Sequence, residues 1–447
     1  MSVWKKVKIG DFLTEREGRY KPDDSKISKY KRLEKIDFSG TIHISDKPTK
    51  TDMIIVHPGD LVISGINVAK GAVAVYQGNE PVCATIHYSS YTFDSSKVDL
   101  DYFKYFVKSP AFIAALQKQV KGGIKTEIKP RHLLPLEISI PDLQTQQEIV
   151  KKISSQLQKT ERLSLEIESQ KNYAKLLRQN ILQNAIEGKL TEDWRKQNPV
   201  QKGNPDYDAE ALFEQILKEK ISYTAELHLK SMNFPKINDE EVSFDSKNNW
   251  VYARGDDCFN IRSASRIHQS DWKTSGIPFL RGRELVQLAK YGKVINPETY
   301  ISEEFYNELK QKSGIPSKND LLVSAVGTLG KVYIVQETDK FYYKDAYILC
   351  FENYHKLNAK FFSLVISSPY YQKEIYKESK GTTVAQFTIG RAKFIPFPLP
   401  PLKEQEEIVN KVENLLAKVT ELENQIQERK TLSEKLAFGI IKEKLEG

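Results

Sequence analysis

Lysine, arginine and small polar side chains recur in the predicted loops of both halves of this 447-residue chain. Lys and Arg can neutralise phosphates, and Arg, Lys, Asn and Gln can read base edges in the major groove of DNA. A solvated surface charge is the commoner explanation for any single residue, so the prediction of DNA contact depends on the set. The candidates in the first half are Arg16, Arg19, Tyr20, Lys21, Lys31, Arg32, Asn67, Lys70, Lys121 and Lys125. Those in the second half are Arg254, Arg262, Arg266, Arg281, Arg283, Thr328, Lys331, Lys380, Thr382, Thr383 and Arg391.

The sequence lacks the motifs that common nucleotide-binding and DNA-processing enzymes need. The stretch from Gly327 to Lys331 has the wrong spacing for a phosphate-binding loop, and no Gly-x-Gly-x-x-Gly or Gly-x-Ser-x-Gly motif occurs. The Asp/Asn-Pro-Pro-Tyr/Phe motif of amino-directed DNA methyltransferases is also absent. Asp23 and Asp24 could belong to a nuclease-like set of carboxylates, although a turn is the favoured interpretation. We therefore expect a protein that performs no catalysis itself.

Composition indicates a soluble protein in a reducing compartment. Charged residues make up 28% of the chain and hydrophobic residues 40%, and no apolar run approaches the roughly 18 residues of a membrane span. The three cysteines lie far apart and the seven histidines have no ligand spacing, so we expect neither disulfides nor a metal site. The N-terminus has no apolar signal region, so we expect a cytoplasmic location without membrane contact. The net charge of +8 is compatible with a polyanionic partner.

The elements that must position these loops occur in two copies. Residues 141–188 and 400–447 align without a gap at an offset of 259 (400 − 141), and roughly a third of the pairs are identical. Pro141 and Pro400 mark the starts of two helices, each about 70 Å long at 1.5 Å per residue. Apolar residues at heptad spacing predict that the two helices pair with each other within one chain. The predicted pairing residues are Ile149, Ile153, Leu163, Ile167, Leu177, Ile181, Ile408, Val412, Leu415, Val419, Leu422 and Ile426.

A fainter repeat extends upstream of the helices. Residues 56–64 are similar to residues 316–324, and in each copy a turn leads into a short β-rich run that ends at a Ser. A loop of small residues, a second β-rich run and an aromatic helix before Ser-Pro follow in both copies. Between this shared part and the starts at Trp4 and Trp250, the two halves diverge in length and sequence. A constant scaffold with a variable portion suits a recognition surface that changes.

The junctions into the two helices resemble those of the specificity subunits of type I restriction-modification systems. The marker stretches are I-P-D-L-Q-T-Q-Q-E-I-V at residues 140–150 and L-P-P-L-K-E-Q-E-E-I-V at residues 399–409. Residues 184–191 resemble the end of the family's first spacer helix, and residues 59–64 resemble a strand of its recognition domain. The first junction departs from the family pattern Pro-Leu-x-Glu at residues 142–145. The resemblance covers essentially the whole chain.

This resemblance implies an α+β fold. Two mixed α/β target-recognition domains would be joined by two long antiparallel spacer helices in a coiled coil, as a pseudo-two-fold internal repeat. The expected domains are a first target-recognition domain at 1–141, a central spacer helix at 142–190, a linker with a helix at 191–231, a second target-recognition domain at 232–399 and a C-terminal spacer helix at 400–447.

The implied function is recognition of double-stranded DNA, with each domain reading one half of a bipartite, asymmetric site and the helices fixing the gap. The implied partners are two modification subunits, which are adenine methyltransferases, and restriction subunits, which are translocase-nucleases. S-adenosylmethionine, ATP and Mg²⁺ would belong to those partners, with no cofactor in this chain. Leu165 or Leu176 beside the seam is a candidate docking contact, although core packing explains either residue equally well. The alternatives are a free-standing two-domain DNA-binding regulator, a restriction or modification enzyme in its own right, and a coiled-coil scaffold.

Overall fold

The chain folds as two compact units. The structure, a computed structural model, describes residues 4–38, 40–67, 70, 72–119, 128–228, 234–238, 241–242, 249–294, 297–377 and 385–446. The first unit comprises Met1–Ser169 with Ile426–Gly447, and the second comprises Gln170–Gln425. Each unit therefore contains a part of each long helix. Within the described ranges, no helix has both the length and the apolar character that a membrane span requires.

The first unit combines short strands with helices. Its strands are β1 (Lys5–Lys8), β2 (Leu13–Glu15), β3 (Arg32–Ile36), β4 (Ile42–Ser45), β5 (Met53–Val56), β6 (Leu61–Ser64), β7 (Val73–Val75), β8 (Val82–Thr85), β9 (Tyr88–Phe93) and β10 (Glu137–Ile140). Its helices are α1 (Leu100–Phe106), α2 (Pro110–Gln119), α3 (Pro130–Leu133) and the first part of α4 (Leu143–Ile186). The strands form two sheets with the orders β2-β9-β6-β7 and β4-β3-β8-β5, and β1 pairs with β10.

The second unit begins with the rest of α4 and ends within the last helix. Its helices are α5 (Glu192–Gln197), α6 (Ala209–Glu226), α7 (Gly255–Cys258), α8 (Gly282–Tyr291), α9 (Glu303–Ser313), α10 (Ala359–Ser367), α11 (Pro369–Tyr376), α12 (Ile389–Phe394) and the first part of α13 (Leu402–Glu446). Its strands are β11 (Val251–Arg254), β12 (Asn260–Ser263), β13 (Ile277–Leu280), β14 (Tyr300–Ile301), β15 (Leu321–Ser324), β16 (Val332–Ile334), β17 (Tyr342–Tyr343), β18 (Ile348–Glu352) and β19 (Pro396–Leu399). The sheet orders are β12-β18-β15-β16 and β14-β13-β17, and β11 pairs with β19.

The two units share one sheet topology. The orders β2-β9-β6-β7 and β12-β18-β15-β16 correspond strand by strand. Gly65 N donates to His87 O at 2.9 Å in the first unit, and Ala325 N donates to Tyr347 O at 2.8 Å in the second. The equivalent residues are 260 positions apart (325 − 65), close to the offset of the helices. The structure thus confirms the α+β composition and the internal repeat that the sequence predicts.

The two units differ where their sequences diverge. The first unit adds the sheet β4-β3-β8-β5, which has its own buried cluster around Leu33 and Val56. The second unit adds the sheet β14-β13-β17 with α8 and α9, and its extra clusters include Leu285 and Tyr306. Each unit therefore joins the shared sheet to an addition of its own.

Both long helices begin at the same buried contact. Gln146 and Gln405 are each 0% exposed. Their Nε2 atoms donate to the carbonyl oxygens of Pro141 at 2.8 Å and Pro400 at 2.9 Å. A buried amide N–H needs an acceptor, so the Nε2 bond of each Gln holds the junction between a strand and a long helix. From there α4 runs for 44 residues and α13 for 45.

One position in each heptad is buried along most of both long helices. Four of the other predicted pairing residues are half-buried, namely Ile149, Leu163, Leu415 and Ile426. Leu177 and Leu422 are 43% and 45% exposed, so the prediction that these two pack in the seam was wrong. An α-helix drifts by about 20° per heptad from a 3.5-residue repeat, and this drift turns the second apolar position toward solvent. The buried positions are Ile153, Thr160, Ile167, Ala174 and Ile181 in α4, and Val412, Val419, Ser433 and Ile440 in α13.

The helices run antiparallel within the second unit. Arg178 Nη2 donates to Thr420 Oγ1 at 3.0 Å. Beyond the end of α4, Lys411 Nζ donates to the carbonyl oxygen of Leu190 at 3.0 Å. The partner's number therefore falls along α13 as the number rises along the α4 side, which is the geometry of an antiparallel pair.

The ends of the helix pair are anchored in the core of each unit. Ile153 and Leu445 belong to one buried cluster of the first unit. In the second unit, Ile186, Ile408 and Val412 belong to the equivalent cluster. Leu445 lies 259 positions after Ile186, so the two cores are closed by the same part of the repeat.

The linker after α4 packs as part of the second unit. Leu212 and Ile216 of α6 are buried in the main cluster of that unit. Lys220 Nζ lies 2.8 Å from Asp256 Oδ2 and 2.9 Å from Asp257 Oδ1. The helix predicted within residues 191–231 is therefore present, while the boundaries 1–141 and 232–399 remain predictions.

Candidate nucleic-acid interface

Two loops at corresponding ends of the shared sheets carry candidate side chains. Asn67 and Lys70 follow β6 in the first unit, and Thr328 and Lys331 follow β15 in the second. Lys70, Thr328 and Lys331 are exposed, and Asn67 is half-buried. The repeat therefore places polar or cationic groups at the same point of the fold in each unit.

A buried aspartate supports the strand before each of these loops. Asp60 and Asp320 are 2% and 3% exposed, and burial raises the pKa of Asp320. Asp60 accepts from His57 N at 2.9 Å, and Asp320 accepts from Ser317 N at 2.7 Å. Arg16 Nε also donates to both Asp60 oxygens, at 2.7 and 2.8 Å. Arg16 therefore stabilises the turn, which leaves its other donors as the part that could face DNA.

Three more basic candidates of the first unit are open to solvent. Arg19 and Lys31 are exposed. Lys21 Nζ lies 3.4 Å from Asp52 Oδ1, yet its side chain is 76% exposed. An exposed ion pair of this kind contributes little to stability, so Lys21 can exchange its partner for a phosphate at small cost.

Two candidates of the first unit, Tyr20 and Arg32, take part in its β-structure and are half-buried. Tyr20 forms a backbone bridge with Met53 and is half-buried. Arg32 lies in β3, and its Nε is buried without a hydrogen-bond partner in the part of the chain that the structure describes. Burial of this nitrogen leaves only the outer part of the Arg32 guanidinium as a group that could reach DNA.

A basic cluster surrounds Phe38 in the first unit. The Phe38 side chain is 54% exposed, and Lys70 Nζ lies 5.5 Å from its ring centroid. Lys108 Nζ donates to the carbonyl oxygen of Phe38 at 3.2 Å, and burial lowers the pKa of Lys108. Lys104 and Lys108 also line a cavity of about 180 Å³ beside β7. Neither Phe38 nor Lys108 could be selected from the sequence, because only the fold brings them beside the loop after β6.

Two arginines lie at the N-terminus of α8 in the second unit. Arg281 Nη2 lies 2.7 Å from Glu298 Oε2, and Arg283 Nη2 lies 2.6 Å from Glu298 Oε1. The side chains of Arg281 and Arg283 are 30% and 58% exposed. Between them, a Cβ built on Gly282 would lie 3.5 Å from the carbonyl oxygen of Val326. The start of α8 is therefore next to the loop after β15.

A lysine and a tyrosine add to this cluster. Lys344 Nζ lies 4.4 Å from the ring centroid of Tyr347, whose side chain is 38% exposed. Both residues precede β18, and Tyr347 O accepts the hydrogen bond from Ala325 N at the start of the loop. This pair could not be predicted from the sequence, because a lysine three residues before a tyrosine is a common combination.

Arg254 serves the core and is removed from the set of DNA candidates. It is 4% exposed, and Nη1 donates to Glu241 Oε2 at 2.6 Å and to the carbonyl oxygen of Phe394 at 2.9 Å. Its guanidinium also lies 4.3 Å from the ring centroid of Phe394. Moving this side chain to DNA would break its ion pair with the half-buried Glu241 carboxylate and leave the Phe394 carbonyl oxygen without this donor.

Arg262 and Arg391 are likewise structural. Arg262 Nε donates to Glu352 Oε2 at 3.2 Å across the pair β12–β18. Arg391 is paired with the Glu374 side chain and donates from Nε to the Glu374 carbonyl oxygen at 3.3 Å. The Arg391 side chain is 9% exposed. Both predictions of DNA contact are corrected by these intramolecular partners.

Of the remaining candidates, one is exposed and the others lie outside the residues that the structure describes. Arg266 is exposed in the segment after β12. Lys121, Lys125, Lys380, Thr382 and Thr383 lie outside the described residues.

Asp24 and the three cysteines have structural surroundings. Asp24 Oδ1 accepts from Lys26 N at 2.9 Å, which is a local turn. Burial raises the pKa of the thiols of Cys83, Cys258 and Cys350. Within the same ranges, no group of three or more His, Cys, Asp or Glu residues is placed to hold a metal ion.

Several large apolar side chains of α4 are open to solvent. Leu165 is 70% exposed in the first unit. In the second unit, Tyr173 is 67% exposed and Leu176 is 52% exposed. Of the two explanations offered for Leu165 and Leu176, core packing is therefore excluded.

Comparison with known protein families gives a match that spans most of the chain. A family model for the type I restriction modification DNA specificity domain matches residues 1–174 and 247–429. The EcoBI type I restriction enzyme specificity subunit of Escherichia coli is 24% identical over 318 residues, covering 71% of this chain and 59% of that protein. The matched parts span only 40% to 59% of the curated relatives' own length.

Solved structures share the fold. A chain from a study of complex assembly and conformational transition in the type I R-M system has a TM-score of 0.63 at 15% identity, covering 99% of this chain and 97% of that chain. The HsdS subunit from Thermoanaerobacter tengcongensis has a TM-score of 0.52 at 14% identity, with 99% and 97% coverage. At these identities the likeness concerns the fold alone.

Proposed function

This chain belongs to the type I restriction modification DNA specificity family, and we propose that it reads the target sequence for a restriction-modification complex. The observation that carries the proposal is the repeated sheet, β2-β9-β6-β7 and β12-β18-β15-β16, with polar and cationic loops at corresponding ends. Each unit presents its loops to one half-site of double-stranded DNA. Lys and Arg bind phosphates there, and polar side chains read base edges.

The two half-sites differ in sequence. The first unit surrounds its loop with Phe38, Lys70 and Lys108, whereas the second unit surrounds its loop with Arg281, Arg283 and the Lys344–Tyr347 pair. Lys70 and Lys108 bind phosphates in this proposal, while Phe38 of the first unit and the arginines and Tyr347 of the second present different donors and apolar surfaces to the bases, so the two units select different bases. The target is therefore bipartite and asymmetric.

The long helices set the length of the unread gap between the half-sites. An antiparallel pair with one buried position per heptad resists bending, because each buried residue has a fixed neighbour. Helix length then translates into spacing along DNA, as the spacing of a dimer does for other DNA readers.

The chain performs no chemistry, and its partners supply it. Modification subunits would methylate a flipped adenine in each half-site with S-adenosylmethionine, and restriction subunits would use ATP and Mg²⁺. Leu165 in the first unit and Leu176 in the second are docking contacts for the modification subunits, since apolar surface of this exposure on a helix favours a partner.

The test is a selection experiment on the chain purified with its modification subunit. Complexes are bound to a pool of randomised duplexes, and the bound DNA is sequenced. We expect a two-part motif with a fixed gap. Exchange of residues 1–140 for the recognition domain of a related protein should change one half of the motif only, and a change in both halves would contradict independent reading by two units.

A further inference from the structure

One carboxylate in the second unit holds two arginines. Glu298 Oε2 lies 2.7 Å from Arg281 Nη2, and Glu298 Oε1 lies 2.6 Å from Arg283 Nη2. Each oxygen thus takes one guanidinium, and the carboxylate bridges residues that flank the first position of α8. Each arginine contacts Glu298 through its own Nη2 atom. A guanidinium has five N–H donors in a planar fork, so other donors of each arginine can face DNA.

A second, buried carboxylate contacts the same two arginines. Glu284 is 2% exposed, and its Oε2 accepts from Arg281 N at 3.1 Å at the start of α8. Its Oε1 lies 3.5 Å from Arg281 Nη2 and 3.2 Å from Arg283 Nη2. Two guanidiniums therefore face two carboxylates, and the formal charge of the cluster is zero.

The cluster lies at the proposed reading edge. Gly282 stands between the two arginines, and a Cβ there would meet the carbonyl oxygen of Val326 at 3.5 Å. Thr328, two residues further along the same loop, is exposed. The guanidiniums are thus neighbours of the loop that repeats in both units.

We propose that Glu298 is a positioning residue that orients Arg281 and Arg283 to read guanine in the half-site of the second unit, which rests on the proposed function. An arginine that approaches a guanine edge uses two donors against O6 and N7. A carboxylate that holds another donor of the same fork fixes the plane of the guanidinium before DNA arrives. Less conformational entropy is then lost on binding, and a mispositioned base meets a guanidinium that cannot turn to follow it.

The neutral charge of the cluster decides what it contributes. Binding to phosphates gains free energy from counterion release, and that gain needs uncompensated positive charge. Arg281 and Arg283 have their charge compensated by Glu298 and Glu284. They therefore contribute to discrimination between bases more than to affinity for DNA in general.

The main alternative is a surface ion pair that only stabilises the loop before β14. Exposed pairs contribute little to stability, and such a role leaves sequence preference unchanged. Stability alone cannot separate the two roles, so the test measures sequence preference and salt dependence as well.

The test compares three variants of the chain purified with its modification subunit. Glu298→Gln removes the charge and nearly keeps the shape, whereas Glu298→Asp keeps the charge and shortens the reach. Glu303→Gln is the matched control, because Glu303 is 54% exposed and pairs with Lys340 at 2.6 Å in the same unit. Each complex is subjected to selection from randomised duplexes and to binding measurements over a range of salt concentrations.

Distinct outcomes are expected for charge and for geometry. With Glu298→Gln, affinity for non-target DNA should rise, the slope of log affinity against log salt should steepen by about 0.9, and preference at a guanine of one half-site should fall about tenfold. With Glu298→Asp, that preference should fall while the salt slope stays unchanged. The Glu303→Gln control should leave both quantities as they are.

The outcomes also separate this inference from the proposed function. A parent complex that enriches no sequence refutes the proposed function. A parent complex that enriches a motif, with unchanged base preference in both Glu298 variants, refutes the positioning role alone. A steeper salt slope in Glu298→Gln with unchanged preference refutes it as well, because the carboxylate would then act only through its charge.

Discussion

Replacing Glu404 by alanine should destabilise the second unit far more than replacing its counterpart Thr145 destabilises the first. Glu404 is 1% exposed and lies 259 positions after Thr145. Its Oε1 accepts from Thr191 Oγ1 at 2.7 Å and from Arg195 Nη1 at 2.5 Å. Its Oε2 accepts from Trp250 Nε1 at 2.8 Å. One carboxylate thus ties the linker and the first strand of the unit to the start of α13.

The magnitude follows from what each substitution leaves behind. Glu404→Ala leaves the Arg195 guanidinium, 19% exposed, and a buried indole N–H without their acceptor, which costs about 3–5 kcal/mol for a broken buried ion pair. The Thr145 hydroxyl donates to Asp142 Oδ2 at 2.9 Å near solvent, and its backbone N, which the substitution keeps, donates to Asp142 Oδ1 at 3.0 Å. Loss of the hydroxyl there costs about 1 kcal/mol.

Amide hydrogen exchange on the full chain measures both effects, because it reports the free energy of opening in each unit separately. We expect faster exchange in α5, β11 and the start of α13 for Glu404→Ala, and little change in the first unit for Thr145→Ala. Glu404→Gln keeps an acceptor for Trp250 and should fall between parent and alanine variant. Equal effects of the two alanine substitutions would refute the reasoning.

Three further predictions concern spacing, affinity and pH. Deleting residues 163–169 and 422–428 together removes one heptad from each long helix, which shortens each by about 10.5 Å at 1.5 Å per residue. The tolerated gap should then shorten by about three base pairs at 3.4 Å each. A selection experiment that returns the original gap would contradict the spacing role of the helices. Lys70→Ala and Lys108→Ala should each weaken binding to all DNA sequences alike and reduce the slope of log affinity against log salt by about 0.9. Binding titrations at several salt concentrations measure this slope. A loss of affinity confined to one sequence motif would exclude phosphate contact. Burial lowers the pKa of His355 below its ordinary 6.5, so its contribution to stability is complete above that value and is lost as pH falls toward the folded-state pKa. The free energy of opening in the second unit, obtained from hydrogen exchange after correction for the pH dependence of intrinsic exchange, should therefore fall on acidification below about 6.5. His355→Asn should remove that part of the pH dependence, and an unchanged dependence would assign it to other groups.

The repeat and the helices could be predicted because their signals are local. Pro141 and Pro400 restrict the backbone at the strand-to-helix junctions, and heptad spacing persists over the length of both helices. The pattern could not show which apolar position faces solvent, since Leu163 and Leu177 occupy the same step of the heptad but differ in exposure. Drift of the helix relative to its partner decides that, and drift depends on tertiary packing.

The candidate interface was less predictable because charge alone does not show a residue's partner. Arg254 and Arg283 are equivalent as sequence letters, yet one is buried against Glu241 and the other is 58% exposed. Lys108 and Tyr347 were missed for the opposite reason, since the fold carries them to a loop that is distant in sequence. Only tertiary contacts distinguish an arginine that holds the core from one that can reach DNA.

The most direct test of the central claim is the adenine methylome of a host that carries this chain with its proposed modification subunit. Single-molecule sequencing of that strain is compared with sequencing of a strain that lacks only this chain. We expect chain-dependent methylation of an asymmetric, two-part motif with a gap of fixed length. Absence of new methylation, with expression and assembly verified, or a continuous symmetric motif, would contradict it.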